Sequence, residues 1–193
     1  MAIKPILFNT EMVQAILDGR KTCTRRVVKT RRKDACGFYV TKRPDDSFTG
    51  IYEYDEDERM FENQLIPPYK PGDILYVRET FIQAAARTFW YKADDNLWMP
   101  KGLHWKPSIH MPKEAARIWL KVTNVRVERL QDMTDDDAEA EGCFDYTSTA
   151  LGFPDVWDST IKKSNLDSYG WNANPWVWVI EFERCEPQEG QNV

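Results

Sequence analysis

Apolar and polar residues alternate in several short stretches of the chain, and this spacing predicts a β-sheet. In the final stretch, NPWVWVIEFE, every second residue is large and apolar: Trp176, Trp178, Ile180 and Phe182. The stretch ARIWLKVTNVRVERL alternates too, but its apolar phase shifts by one residue between Val122 and Val125. A β-bulge at Thr123–Asn124 would produce this shift, because side chains on a strand have a period of two. IKPILF and ILYVRETF predict two further strands.

Other stretches have the spacing and the end signals of short helices. Thr10 suits the N-cap of a helix after IKPILF, and Gly19 suits its end. In MTDDDAEAEG, Thr134 is the expected N-cap and Gly142 the expected stop, with three aspartates in the first turn. FPDVWDSTIKK places Pro154 in a first turn, where the missing N–H costs nothing. The pattern therefore predicts two or three short helices.

The region 34–66 is the least regular part of the chain. It contains GFYVTKRPDDSFTGIYEY, which predicts a hairpin with a Pro-Asp-Asp turn, followed by the acidic run DEDE. We expect a surface insertion here and a second insertion at about 145–172. With neither an internal repeat nor a linker in the sequence, residues 1–193 are predicted to form a single α+β domain. Its antiparallel strands should make a small closed or nearly closed barrel, with the helices across the openings.

The composition narrows the class of protein. Eight Trp in 193 residues and 42% hydrophobic residues indicate a folded chain rather than a disordered one. The sequence has no apolar run of membrane-spanning length, and MAIKPILFNTEM lacks the features of a signal peptide, so we expect a cytoplasmic protein that does not contact a membrane. The four Cys form no CxxC and the two His have no partner at ligand spacing. We therefore expect no metal and no cofactor.

Positive charge is concentrated at the start of the chain. Residues 1–33 hold nine Lys or Arg against two acidic residues, whereas the whole chain has a net charge of −5. This asymmetry favours a local anionic partner over a general nucleic-acid coat. Two structural explanations stay open: the basic run could neutralise acidic segments of the same fold, or it could complement the dipole at the end of the first helix.

The basic stretch LDGRKTCTRR also holds a candidate reactive pair. Lys21 and Thr24 lie three residues apart, just after the predicted helix end. A lysine crowded by cations such as Arg20, Arg25 and Arg26 can act as a base toward a hydroxyl. Thr24 as nucleophile and Lys21 as base is therefore a reasonable hypothesis. A solvated turn or a phosphate-binding patch is the alternative that spacing alone leaves open.

Glu79 is the second unusual residue. In ILYVRETF it shares a face with Leu75, Val77 and Phe81. A carboxylate on an apolar face is costly unless it is paired or hydrogen-bonded. The pattern therefore predicts either a structural ion pair with an Arg or Lys, or a binding role.

The order of four motifs resembles a known family. GRKTCTRR after a short strand, then KPGDILYVRETF, VTNVRVERLQDMTDDDAEAEG and WVWVIEFE, is similar to ASCH domains, which belong to the PUA-like β-barrel superfamily. The whole order of these motifs closely resembles that in the longer ASCH proteins often carried by phages and prophages. The resemblance covers roughly residues 3–30, 70–142 and 175–184, and it implies a PUA-like barrel fold.

The resemblance also implies roles for particular residues. In a short bacterial ASCH enzyme that hydrolyses the acetyl amide of N4-acetylcytidine, the catalytic Lys and Thr belong to a GRKTxT motif, which here would be Lys21 and Thr24. The catalytic Glu of that enzyme lies on the short helix after a long strand, which matches Glu141. Thr24 would attack the acyl carbonyl and Lys21 would take the proton of the Thr24 hydroxyl. Glu141 would donate a proton to the leaving amine or orient it. The predicted substrate-binding residues are Arg20, Arg25, Arg26, Arg78, Glu79 and Trp105.

Three functions are compatible with these patterns. The first is an amidohydrolase acting on an acylated pyrimidine nucleoside. The second is an RNA-binding or nucleic-acid-binding module, or a ribonuclease, because ASCH relatives include such proteins; Trp90, Trp105 and Trp171 would then stack on bases, or else pack in the core. The third is a non-enzymatic protein that binds a protein partner through the segment 34–66. The chain is nearly twice as long as the compact enzyme, so an inserted lid could alter or block its substrate.

Overall fold

The computed structural model describes residues 1–45, 48–94, 103–143 and 152–187. These residues form strands and helices in mixed order, which confirms the α+β class. In chain order the elements are β1 (Ile3–Leu7), α1 (Thr10–Leu17), β2 (Cys23–Val27), β3 (Gly37–Lys42), β4 (Phe48–Tyr54), β5 (Met60–Gln64), β6 (Ile74–Arg78), β7 (Phe81–Ala85), β8 (Thr88–Tyr91), β9 (Trp119–Arg129), α2 (Asp135–Ala140), α3 (Phe153–Thr160), α4 (Leu166–Tyr169) and β10 (Trp176–Cys185). The helix count within these ranges exceeds the prediction by the one-turn α4.

The main sheet has five strands in the order β1-β6-β9-β10-β2. Four of these strands are joined by antiparallel pairs, as predicted, but β1 runs parallel to β6. The antiparallel prediction is wrong for this pair. A parallel pair needs a long crossover connection, which residues 8–73 supply. Within the described ranges β1 and β2 are the edges of this sheet, so closure into a barrel stays a prediction.

The predicted bulge in β9 is confirmed. Glu181 of β10 lies opposite Asn124, but its neighbour Phe182 lies opposite Val122, which leaves Thr123 as the extra residue. Because of this insertion, Val122 and Val127 both reach the same core although they are an odd number of positions, five, apart.

Strand β10 is buried on both faces, whereas the sequence predicted one. Trp178, Ile180 and Phe182 pack with α1 in the larger core, and Val177 and Val179 pack with α2 and α3 in a second core. All five are at most 4% exposed. At β10, the sheet is therefore covered by helices on both faces.

Three of the predicted helix signals agree with the structure, and one is displaced. Gly19 follows α1 with a φ of 77°, and Thr134 caps α2 in a reciprocal capping box with Asp137. Pro154 lies in the first turn of α3. The cap of α1 is Asn9 rather than Thr10, since the Asn9 side chain accepts a hydrogen bond from the Met12 amide at 2.8 Å.

The segment 34–66 forms its own three-stranded sheet, β3-β4-β5, and its β3–β4 hairpin is as predicted. It is more than a surface addition, because Ile51 and Leu65 are buried in the larger core. The segment 145–172 contributes α3 and α4, with its first residues outside the described ranges. Within those ranges, no helix has the length and apolarity needed to span a membrane.

Candidate functional site

The strand β2 and the turn before it place the candidate residues. Thr24 pairs with Ile180 and Arg25 with Val179, so Thr24 faces the larger core and Arg25 faces the helix α2. Before β2, the amide of Thr22 donates to the carbonyl of Ala140 at 2.8 Å. This bond joins the start of β2 to the end of α2 and brings Lys21 to Glu141.

Lys21 and Glu141 form a buried ion pair. The Lys21 Nζ lies 2.6 Å from Glu141 Oε2 and also donates to the Glu141 backbone carbonyl at 2.8 Å. The residues are 3% and 6% exposed. Two charges are withdrawn from water here, which proteins tolerate when the partners satisfy each other closely. The structure thus brings together two residues that are 120 positions apart in sequence.

Thr24 lies beside this pair and is 2% exposed. Its Oγ1 accepts a hydrogen bond from Arg26 Nη1 at 3.0 Å, which leaves the hydroxyl proton available to a base. Lys21 bonds to Glu141 in this structure rather than to Thr24. Proton transfer from Thr24 to Lys21 therefore requires the amine to turn from Glu141 toward the hydroxyl.

Arg25 holds Glu141 from the other side. Its guanidinium lies 2.7 Å from Glu128, 3.0 Å from Asp137 and 3.4 Å from Glu141, and the side chain is fully buried. Burial acts to lower the pKa of Arg25, but the carboxylates of Glu141 and Glu128 outweigh it and raise the pKa above its ordinary value. Arg25 is therefore a fixed cation that orients the carboxylate of Glu141.

Three members of this network were not predicted from the sequence: Arg126, Glu128 and Asp137. Arg126 contacts Glu128 and Asp137 at 3.2 Å each, and it also pairs with Glu181. A signal existed, because Arg126 and Glu128 are two apart on one strand and so share a face. Asp137 lies in the first turn of α2, where an acidic residue is expected for structural reasons, so the sequence did not mark it as a site residue. Although burial opposes it, hydrogen bonds from Thr134 and the charge of Arg25 lower the Asp137 pKa.

Cys23, within the same motif, is not a competing nucleophile. Burial, together with the Glu141 carboxylate, raises the pKa of its thiol to about 12. A thiol must ionise to attack, so Cys23 stays in its unreactive form at neutral pH.

Two adjacent cavities lie beside the candidate residues. An inner cavity of about 70 Å³ is lined by Lys21, Thr24 and Glu141, and an outer groove of about 820 Å³ lies next to it. Both are lined by Phe8, Asn9, Met12, Arg25, Arg26, Trp157 and Thr160. The inner cavity and the outer groove therefore share a wall.

Arg20, Arg78 and Trp105 lie away from both cavities. Arg20 bonds to Asp18 at 3.0 Å and to the Gly142 carbonyl at 3.3 Å. Arg78 donates to the Met111 carbonyl at 2.8 Å, and Trp105 is half-buried in the loop after residue 102. Their assignment to substrate binding stays a prediction without a contact in its favour.

Glu79 forms the ion pair that its position on an apolar face suggested. Arg117 donates to both carboxylate oxygens, at 2.9 and 3.0 Å, and also pairs with Asp94. Burial raises the pKa of Glu79 despite the opposing effect of Arg117. Glu79 is not among the residues lining either cavity.

Trp171 packs against Phe153, with ring centroids 6.0 Å apart, which is the packing alternative rather than base stacking. Among the described residues, no three His, Cys, Asp or Glu side chains are grouped to hold a metal ion.

Gly142 gives a test of how tightly this site is built. A Cβ at Gly142 would lie 2.7 Å from Ala15 Cβ and 3.2 Å from Lys21 Cβ, whereas a Cβ at Gly19 would meet nothing within 4 Å. Both glycines have a positive φ, 87° and 77°. We expect each glycine-to-alanine change to cost about 1–2 kcal/mol in backbone strain, and Gly142→Ala about 1–3 kcal/mol more from the clash.

Urea denaturation of the two variants measures this difference. Equal losses in the two variants would mean that Ala15 and Lys21 can both move away from the added methyl group.

Comparison with solved structures identifies the type of fold. A crystal structure of an ASCH domain from Lactobacillus crispatus JV V101 matches 95% of this chain and 79% of its own, with a TM-score of 0.50 and 11% identity. A crystal structure of a hypothetical protein matches 96% of this chain and 100% of its own, with a TM-score of 0.41 and 14% identity. No family model matches the sequence, and neither does any curated protein. At these identities the likeness concerns architecture, and the chain has an ASCH-type fold.

Proposed function

We propose that this chain is an amidohydrolase that removes an acyl group from a modified pyrimidine nucleoside such as N4-acetylcytidine. One observation carries the proposal: the buried Lys21–Glu141 pair and Thr24 line a small cavity that adjoins an open groove. A buried charged pair beside a hydroxyl group is an arrangement suited to proton transfer. Exclusion of water strengthens the electrostatic interactions between these groups.

The chemistry follows from the contacts. A proton passes from Lys21 Nζ to Glu141 Oε2 across their 2.6 Å contact without a change in net charge. The neutral amine then takes the proton of Thr24 as Oγ1 attacks the acyl carbonyl carbon. Protonated Glu141 gives its proton to the departing amine, so the C–N bond breaks and an acyl–Thr24 ester remains. Water then attacks the ester carbonyl and gives a proton to Glu141, while Lys21 returns its proton to Thr24 Oγ1 as the C–O bond breaks and the free acid leaves. Transfer of the proton from Glu141 back to Lys21 restores the starting ion pair.

A panel of acylated and unmodified nucleosides tests the proposal. The purified chain is expected to release cytidine and acetate from N4-acetylcytidine, measured by chromatography. Folded protein that converts no acylated pyrimidine nucleoside would contradict it.

A second candidate is binding of RNA, and the composition of the outer groove favours it. Exposed Lys29 and Arg31 line the groove, and so does Tyr69. Cations interspersed with aromatic rings are typical of surfaces that contact phosphates and stack on bases.

Salt titration of RNA binding distinguishes this candidate. If Lys29 and Arg31 each contact a phosphate, the double change to Gln is expected to reduce the slope of log affinity against log salt by about 1.4, at about 0.7 for each contact. Arg32→Gln is the matched control, because Arg32 is adjacent but pairs with Asp34 at 2.8 Å outside the groove lining. An affinity that does not depend on salt, or equal effects of both variants, would count against RNA binding.

A further inference from the structure

We infer that α3 restricts the acyl group to short chains, with Val156 as the residue that fixes the limit. This inference rests on the proposed amidohydrolase function and adds to it the size of the group removed. It concerns the segment 152–173, which lies outside the parts of the sequence that carry the ASCH resemblance.

The geometry of the inner cavity sets the limit. Lys21, Thr24 and Glu141 line one part of the cavity, and α3 contributes Phe153, Val156, Trp157 and Thr160 to its lining. Attack by Thr24 requires the acyl carbonyl to lie beside Oγ1, so the alkyl part of the acyl group must also lie in or next to this cavity. The nucleoside itself needs the larger outer groove.

The size of the cavity suits a short acyl group. Its volume is about 70 Å³, and a single water molecule requires about 10–15 Å³ of such space. The cavity therefore holds about five to seven non-hydrogen atoms. An acetyl group has three such atoms and a butyryl group five, whereas a hexanoyl group has seven and reaches the limit.

Hydrogen bonds and ring contacts between α3 and the segment 166–171 hold this helix in place, so the cavity wall does not move easily. Trp157 Nε1 donates to the Tyr169 carbonyl at 2.8 Å, and Asp158 accepts from the Trp171 amide at 2.7 Å. Phe153 stacks on Trp157 with ring centroids 6.2 Å apart. Phe153 and Trp157 are 3% and 6% exposed, so both rings are packed against other parts of the protein.

Val156 is the adjustable position in this wall. It is half-buried, lines the cavity and packs against the edge of the cluster that contains Phe153 and Trp157. Val156→Ala enlarges the cavity, and the better helix propensity of alanine offsets part of the packing that the change removes.

The experiment compares kcat/KM for N4-acetyl-, N4-butyryl- and N4-hexanoylcytidine. In the unaltered chain we expect kcat/KM to fall at least about 10-fold from acetyl to hexanoyl, and Val156→Ala to recover most of that loss. Val156→Leu, which adds a carbon, is expected to lower hexanoyl turnover further. Ser159→Ala on the exposed side of α3 is the matched control and should leave the ratio unchanged.

The outcomes separate the two claims. Similar turnover of all three substrates, or a hexanoyl-to-acetyl ratio that Val156→Ala does not change, would overturn the inference and leave the amidohydrolase intact. Absence of turnover with every acylcytidine by folded protein would overturn the proposed function, and the inference with it. Cytidine binding followed by calorimetry should be unaffected by all three variants, which verifies that the outer groove is intact.

Discussion

Replacing Thr24 by Val is expected to lower kcat/KM for N4-acetylcytidine at least about 10³-fold, since removal of a nucleophile is among the costliest changes in an enzyme. Val preserves the β-branched shape that β2 accommodates. The variant loses one hydrogen bond, from Arg26 at 3.0 Å, so we expect its unfolding free energy to fall by only about 1 kcal/mol. Steady-state release of cytidine and urea denaturation measure the two quantities.

Thr24→Ser is the matched control for this change. It retains the hydroxyl and removes only a methyl group, so most of the activity should remain. A Thr24→Val variant as active as the Ser variant would show that Thr24 is not the nucleophile.

Replacing Arg25 by Met is expected to destabilise the fold by about 3–5 kcal/mol, because it leaves buried carboxylates without their cation. Arg25 is 2% exposed and lies within 3.4 Å of Glu128, Asp137 and Glu141. Activity should fall as well, since the carboxylate of Glu141 loses one of the two groups that hold it.

Arg126→Met is the matched control for Arg25→Met. Arg126 contacts two of the same carboxylates, Glu128 and Asp137, but its side chain is 32% exposed. Solvent screens such contacts, so we expect a loss of about 1 kcal/mol or less. Similar losses in the two variants, measured by urea denaturation, would contradict the claim that burial makes Arg25 essential.

Features encoded by neighbouring residues were predictable from the sequence. The bulge at Thr123 follows from the phase of the apolar residues, and the ends of the helices follow from Gly19, Thr134 and Pro154. These signals are local, because a cap or a bulge depends on residues only a few positions apart. The proximity of Lys21 to Glu141 was expected only from the resemblance to ASCH domains.

Features that depend on distant residues were not predictable in this way. The parallel pairing of β1 with β6 joins strands 71 positions apart, from Ile3 to Ile74, and nothing in either strand specifies its direction. The contribution of α3 to the inner cavity likewise depends on tertiary packing. Glu79 could be singled out as unusual, but its partner Arg117 lies 38 positions away.

Cytidine release from N4-acetylcytidine by the unaltered chain and by Lys21→Arg tests the central claim most directly. Arginine keeps the positive charge beside Glu141 but cannot give up its proton to become a base. The proposed mechanism predicts turnover by the unaltered chain and loss of at least about 10²-fold in the variant, the typical contribution of a general base. A folded Lys21→Arg variant that turns over the substrate as fast as the unaltered chain would contradict it.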